Sequence, residues 1–246
     1  MNRVAVNVSR SLVCLIVMLA GCGDTGGGPV SLPLMGGGAV DAHHFVTSDG
    51  WTIDLDDARI AFGPVYFCAT TSAELENCPA AVAELRAAVT IDVLDANADA
   101  LGTIEGRAGT LRSGAWDYGR PFLLPATAPR PVAGAVDGEH SARFSGTARK
   151  DAVIFHFVAE LDISGSGSGL TAVHGFRTTH TLTGDDDGLT VSFDAPEIIE
   201  RMDLDALAAA AIDGEVRIEE GSPAYTSLVQ ALTSSALPSL EWARPE

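Results

Sequence analysis

Two adjacent histidines near the start of the chain could bind a transition metal. His43 and His44 lie close to Asp41 and Asp49, and imidazole and carboxylate groups are common ligands of zinc and copper. Neighbouring residues on a regular strand point to opposite faces, so both imidazoles can bind one ion only where the backbone is irregular. We therefore predict His43 and His44 as candidate metal ligands, with two solvated loop histidines as the alternative.

Three later histidines fit a metal site less well. The alternation of polar and apolar residues predicts that His156 points away from the core, whereas His174 and His180 point towards it. Residues on opposite faces of a sheet cannot bind one ion together. We expect surface histidines here, or buried ones with hydrogen-bond partners.

Two acidic turns are candidates for calcium. Asp95, Asn97 and Asp99 have the first three spacings of a calcium-binding loop, but Ala100 stands where that loop needs glycine. The three consecutive aspartates at 185–187 could form an exposed cation site. An ordinary polar turn is the alternative at both places.

The first residues of the chain are typical of a secretory signal. Arg3 and Arg10 precede an apolar run at 12–20, and nine helical residues span about 14 Å, which is too short to cross a bilayer. A basic start followed by a short apolar run is the pattern of a signal peptide. We predict that residues 1–21 are removed from the mature protein.

The end of this run resembles a family signature. Leu19-Ala20-Gly21-Cys22 is similar to the lipobox of bacterial lipoproteins, and the resemblance implies that the thiol of Cys22 is acylated. It implies a protein held on a membrane of the cell envelope, with the outer membrane favoured and the inner membrane left open. We expect a polar tether at 22–40 and one domain at 41–246.

Two cysteines remain for the exported domain. Cys68 and Cys78 are ten residues apart, and cysteines outside the cytoplasm usually form disulfides. We predict a Cys68–Cys78 disulfide, which would stabilise the fold by about 3 kcal/mol. A pair of thiolate metal ligands is the alternative.

The charge of the chain argues against nucleic acid as a partner. The formal net charge is −18 at pH 7, and removing Arg3 and Arg10 with the signal lowers it to −20 because that segment contains no acid. Such a surface repels phosphate backbones and anionic lipid surfaces.

No catalytic motif was recognised. The sequence lacks His-Glu-x-x-His and Walker A patterns, and Gly167 stands where a nucleophile elbow needs serine. We expect a protein that is not an enzyme. A divergent hydrolase that uses the glycine- and proline-rich segment 113–138 as a lid is an alternative.

Strand patterns dominate the domain. Residues 51–57 alternate strictly and then change parity, which predicts a strand with a bulge near Asp57. Residues 142–149, 153–163 and 170–182 also alternate, and a turn at 150–151 would place their apolar sides on one face. We predict a three-stranded meander there.

Helices are fewer. We predict them at 80–88, 196–212 and 222–234, the last with Ser222 as N-cap and Pro223 in the first position. The expected fold is an antiparallel β-sandwich of the immunoglobulin-like or Greek-key type, with about eight strands and two or three short helices. We expect a monomer.

The order of several segments gives a second resemblance. Residues 45–55, Phe144-Ser-Gly-Thr-Ala, Phe155-His-Phe and Thr190-Val-Ser-Phe-Asp, the last followed by a helix rich in leucine and alanine, are similar to the MbnP-like periplasmic metal-binding proteins. The resemblance implies metal handling in the periplasm. It assigns no ligand residue in this chain.

Together these patterns predict a membrane-anchored envelope protein with a non-enzymatic binding role. A small ligand or a metal ion is slightly favoured. A structural or assembly factor that binds an envelope protein is the alternative from a different class.

Overall fold

The computed structural model describes residues 27–71, 81–121, 128–165 and 170–243. Cys22, Cys78 and Phe122 lie outside these ranges, and so do most of the residues before the first strand. The described part of the chain contains fourteen strands, three α-helices and one π-helical segment.

The strands are β1 (Pro29–Gly38), β2 (His44–Val46), β3 (Thr52–Phe62), β4 (Val65–Cys68), β5 (Ala83–Leu85), β6 (Val89–Asp92), β7 (Asp99–Arg107), β8 (Gly109–Trp116), β9 (Ala142–Lys150), β10 (Val153–Leu161), β11 (Val173–Leu182), β12 (Gly188–Phe193), β13 (Glu215–Ile218) and β14 (Ser239–Ala243). The helices are α1 (Ala195–Ile199), α2 (Leu204–Ala210) and α3 (Pro223–Gln230), and the π-helical segment is Ala231–Ser235.

The strands form two sheets. Sheet A has eight strands in the order β11-β8-β4-β5-β7-β1-β12-β14. Sheet B has the order β13-β10-β9-β3-β2, and β6 also pairs with β3. The mainly β, sandwich-like class predicted from the sequence is confirmed.

Most strand pairs are antiparallel, as predicted, but each sheet also contains one parallel pair among the described strands. β1 pairs with β12 in parallel, and β10 pairs with β13 in parallel. These partners are far apart in sequence, and a long connection lets a strand enter a sheet in either direction. The remaining pairs between strands are antiparallel.

Aromatic side chains fill the core. Trp51 and Phe155 meet edge to face with ring centroids 5.4 Å apart, and Phe62 lies 5.7 Å from Trp116. All four are almost fully buried. Burying each such side chain stabilises the folded state by about 1.5–3 kcal/mol. The cluster therefore holds the strands in place, and the outer faces of the same strands carry polar side chains.

Two sequence predictions for sheet B are confirmed. β3 has a register shift between Leu55 and Asp57, at the expected bulge. β9 and β10 pair with their apolar residues on one side, for example Phe155 opposite Ala148. The two turn residues are 151 and 152 rather than 150 and 151, so Lys150 pairs with Val153. This shifts the pairing of the two strands by two residues, and the apolar side chains therefore stay on the predicted side.

The predicted meander is wrong in its third strand. β11 pairs with β8 in sheet A, and β10 has β9 and β13 as partners. Alternation fixes which side of a strand is apolar, but an inner face can belong to either layer of a sandwich.

Three other predicted boundaries change. Residues 29–38, expected in the tether, form β1, which pairs with β7 and β12 inside sheet A. Residues 83–85 of the predicted helix 80–88 form β5, because Ala83 and Leu85 are buried with Glu84 between them. The helix predicted at 196–212 is divided into α1 and α2, since Asp203 caps a new helix through the N–H of Ala206.

The helix predicted from Ser222 is confirmed. The Ser222 hydroxyl accepts a hydrogen bond from the N–H of Tyr225 at 3.2 Å, and Pro223 occupies the first position. α3 then continues into the π-helical segment, where Leu232 is buried.

Candidate functional site

The predicted metal ligands lie where an exposed turn meets β2, with His43 in the turn and His44 as the first residue of the strand. His43 is exposed, and His44 Nδ1 lies 2.6 Å from Asp54 Oδ1, an oxygen of a carboxylate that also pairs with Arg149. Among the described residues, no group of three or more histidine, cysteine, aspartate or glutamate side chains is arranged to hold a metal. A site at His43 and His44 therefore stays a prediction.

The other histidines are placed on different faces. His156 points outward as predicted and lies 3.9 Å from Asp56. His174 is exposed, so its predicted inward orientation is wrong, because the register of β11 shifts between Val173 and Phe176.

His180 is buried, as the alternation predicts. Its Nε2 lies 3.1 Å from Asp186 Oδ1, and its ring stacks on Trp242 with centroids 4.6 Å apart. The second Asp186 oxygen accepts a hydrogen bond from the N–H of Thr183 at 2.6 Å. The middle aspartate of the turn at 185–187 is thus a buried hydrogen-bond acceptor, and the exposed cation site predicted there is not formed through it.

The first calcium candidate is an ordinary polar turn. Asp95 Oδ1 accepts hydrogen bonds from the backbone and side-chain N–H groups of Asn97, both at 2.9 Å. Asp99 is the first residue of β7. The carboxylate of Asp95 is therefore used within its own turn.

Cys68 is buried at the end of β4. Its predicted partner, Cys78, lies outside the described residues, so the disulfide stays a prediction.

A balanced set of charges covers part of sheet B. Arg59 donates to both Asp57 and Asp137, with Nη1 2.7 Å from Asp137 Oδ1, and Arg143 Nη1 lies 3.2 Å from Glu160. Hydrogen bonds from Arg59 hold the pKa of Asp137 below its usual value. These arginines are neutralised by their neighbours, so this surface carries little excess charge for a ligand.

Two neighbouring concave surfaces lie on sheet A. One open cavity of about 790 Å³ lies beside β1, β5 and β7. Its charged side chains are Glu84, Arg86, Glu105 and Arg107, and Arg86 Nε lies 2.7 Å from Glu84 Oε1. Ligand cavities in proteins commonly measure about 300–1,000 Å³, so this one can hold a small molecule.

A second cavity adjoins the first. It measures about 580 Å³ and is lined by Thr71, Thr110, Arg112, Arg177 and Thr179. Thr110 lines both cavities. We call the two together the sheet A trough. The described part of its lining contains four arginines and two glutamates, which is a local positive excess among these residues in a chain of net charge −18.

Arg112 and Arg177 were not singled out by the sequence patterns. They are 65 positions apart and meet through the pairing of β8 with β11. An exposed arginine on a strand has no local signature, so only the strand order could have linked them.

One buried acid lies just beyond β8. Asp117 is 3% exposed and accepts a hydrogen bond from the N–H of Ala172 at 3.0 Å. Burial raises the pKa of Asp117 to about 6, because a desolvated carboxylate is disfavoured relative to its neutral form. Its charge therefore changes in a mildly acidic range.

No described helix is long and apolar enough to cross a membrane. No family model and no curated protein matches the chain. Among solved structures, MbnP from Methylosinus trichosporium is similar, with 12% identity over 83% of this chain and 88% of that chain, and a TM-score of 0.40. A likeness of this extent is a weak similarity of overall architecture and carries no argument about ligand or activity.

Proposed function

We propose that this chain is a cell-envelope lipoprotein, acylated at Cys22, whose sandwich binds a small ligand without catalysing a reaction. The sequence Leu19-Ala20-Gly21-Cys22 supports the anchor. The sheet A trough supports the binding role and is the observation that carries it.

The trough has the dimensions and the chemistry of a binding surface. Its larger cavity of about 790 Å³ combines apolar lining residues, such as Val30 and Val82, with four charged side chains. Binding sites usually join an apolar lining to a few fixed polar groups. Arg86 Nε lies 2.7 Å from Glu84 Oε1, so these two charges offset each other, and the lining offers both donors and acceptors to a ligand.

A pair of matched variants tests the binding role. Ser31 is an exposed residue of β1 that lines the cavity, and Thr103 is an exposed residue of β7 that does not. We expect a screen of small metabolites by thermal shift to find a compound that stabilises the wild type and Thr103→Trp but not Ser31→Trp. Equal stabilisation of both variants, or no stabilising compound, would refute binding in this cavity.

The anchor and the non-enzymatic role need separate measurements. Mass spectrometry of the native N-terminus should show an acylated Cys22, and Cys22→Ser should lack the acyl group and the cleavage before residue 22. An unmodified Cys22 in the mature protein would refute the anchor. Turnover of any compound found in the screen would refute the non-enzymatic role.

A further inference from the structure

Most arginines of the described residues form ion pairs, and the arginines of the second cavity are compared with them. Seven described arginines form ion pairs with carboxylates: Arg59, Arg86, Arg120, Arg143, Arg149, Arg201 and Arg217. The chain has 33 acidic residues and 15 basic ones, so carboxylates are available almost everywhere.

Arg112 and Arg177 differ from those seven. Within the described ranges, neither guanidinium has a hydrogen bond or an ion pair, although both line the same cavity. Among the residues that the structure describes, no acidic side chain lines that cavity. Two like charges that line one cavity repel each other, so an anion bound between them would stabilise this arrangement.

The backbone explains how the two side chains come together. β11 has a register shift between Arg177 and His180, and β8 has Arg112 opposite this shift, between the buried residues Leu111 and Ser113. A bulge changes the direction of a side chain, so two residues that regular pairing would place on opposite faces can point to the same side. Bulges are frequent beside functional sites. Arg112 and Arg177 are both exposed to solvent as a result.

The other lining residues complete an anion-binding chemistry. Thr71, Thr110 and Thr179 each carry a hydroxyl that can donate a hydrogen bond. The planar guanidinium donates two parallel hydrogen bonds to a carboxylate or a phosphate group. Since Thr110 also borders the larger cavity, a ligand held here by its anionic end can extend into that cavity.

We propose that Arg112 and Arg177, with the three threonines around them, bind the oxyanion group of a small ligand, either a carboxylate or a phosphate. Since it names the ligand class for the trough, this assignment rests on the proposed function. Binding of this kind requires the ligand to carry only one anionic group. A cavity of about 580 Å³ can hold a small molecule but not a polymer.

Titration of the full-length lipidated protein in a nonionic detergent tests the assignment. The probes are inorganic phosphate and succinate, at low ionic strength because salt screens exposed charges. We expect at least one probe to bind the wild type, and Arg112→Gln and Arg177→Gln each to weaken it about tenfold or more, a loss of about 1.4 kcal/mol. The probe that binds distinguishes a phosphate from a carboxylate ligand.

Two further variants separate geometry from charge. Arg201→Gln removes one arginine outside the trough and should leave probe affinity unchanged. Arg112→Lys keeps the charge but loses the paired donors, so its affinity should fall between those of the wild type and Arg112→Gln. Melting temperatures of Arg112→Gln and Arg177→Gln should equal or exceed the wild-type value, because a like-charge contact is removed.

Two results would overturn the assignment. One is that neither probe binds the wild type. The other is that the double variant Arg112→Gln/Arg177→Gln binds as well as Arg201→Gln. The proposed function is decided separately by the Ser31→Trp and Thr103→Trp comparison, so each can fail without the other.

Discussion

Replacement of Asp186 by alanine should destabilise the protein strongly. The side chain of Asp186 is 3% exposed, and its oxygens lie 2.6 Å from the backbone N of Thr183 and 3.1 Å from His180 Nε2. Alanine leaves these two buried polar groups without their partner, and each such group costs about 1–3 kcal/mol. We expect a loss of about 3–4 kcal/mol in the free energy of unfolding, within the range for breaking a buried pair.

The matched control is the preceding residue. Asp185 is exposed in the same turn, so Asp185→Ala should change the free energy of unfolding by less than about 0.5 kcal/mol. Asp186→Asn keeps one carbonyl oxygen as an acceptor and should fall between the two. The three variants have the same change in net charge, so their differences report the hydrogen bonds.

Thermal unfolding followed by tryptophan fluorescence is the assay. A domain of this size loses about 2–4 °C in melting temperature per kcal/mol, so Asp186→Ala should melt about 10 °C below the wild type. A melting temperature for Asp186→Ala equal to that of Asp185→Ala would refute the claim that the Asp186 carboxylate is a buried hydrogen-bond acceptor. It would indicate that Asp186 is exposed to solvent like Asp185.

Three further outcomes follow from the site and the core. Asp117 has its pKa raised from 3.8 to about 6, so its stabilising contribution is complete below about pH 4 and is lost as the pH rises through 6. The stability of Asp117→Asn relative to wild type should therefore rise by up to about 3 kcal/mol between pH 4 and pH 7, and a pH-independent difference in urea unfolding would contradict this. Tyr118→Phe removes the hydroxyl that donates to the buried carbonyl of Leu232 and should cost about 1–2 kcal/mol by the same measurement; an unchanged stability would exclude that bond. If the metal site predicted at His43 and His44 is formed, elemental analysis of protein purified without chelator should find near-stoichiometric metal that is lost in His43→Ala and His44→Ala; substoichiometric metal, or metal that both variants retain, would refute that site.

Local patterns predicted local structure well in this chain. Strict alternation at 51–57 located β3, and the change of parity located its bulge at Asp57. The serine and proline at 222–223 located the start of α3. In each case the physical cause lies within a few residues of its effect, so the sequence alone contains it.

Pairing between distant strands was harder to predict. The same alternation that describes β11 fits either sheet, and the choice of β8 as its partner depends on how the two layers fill the core. β5 was predicted as a helix because its three residues have no strand preference of their own; burial of Ala83 and Leu85 decides their conformation.

The candidate site depended on that distant pairing. Several of the histidine and aspartate candidates are adjacent in sequence, yet only His180 and Asp186 are buried, where they contact each other, and the others are exposed or half-buried. Arg112 and Arg177 become neighbours only after β8 and β11 pair. The binding surface that we propose is made of ordinary strand residues and therefore has no motif. Its physical signal is two guanidinium groups that have no partner among the described residues.

The position of β1 limits how far the domain can move. With the lipid that we propose on Cys22, six residues separate the anchor from Pro29, and the seven Cα-to-Cα steps of a fully extended chain reach at most about 25 Å. Gly27, Pro29 and Ser31 line the larger cavity of the trough, so the mouth of that cavity lies next to the point where the chain leaves the sandwich. The ligand would then be collected from a thin layer of solvent over the lipid headgroups, and lengthening the chain between Cys22 and Pro29 would widen that layer without altering the affinity.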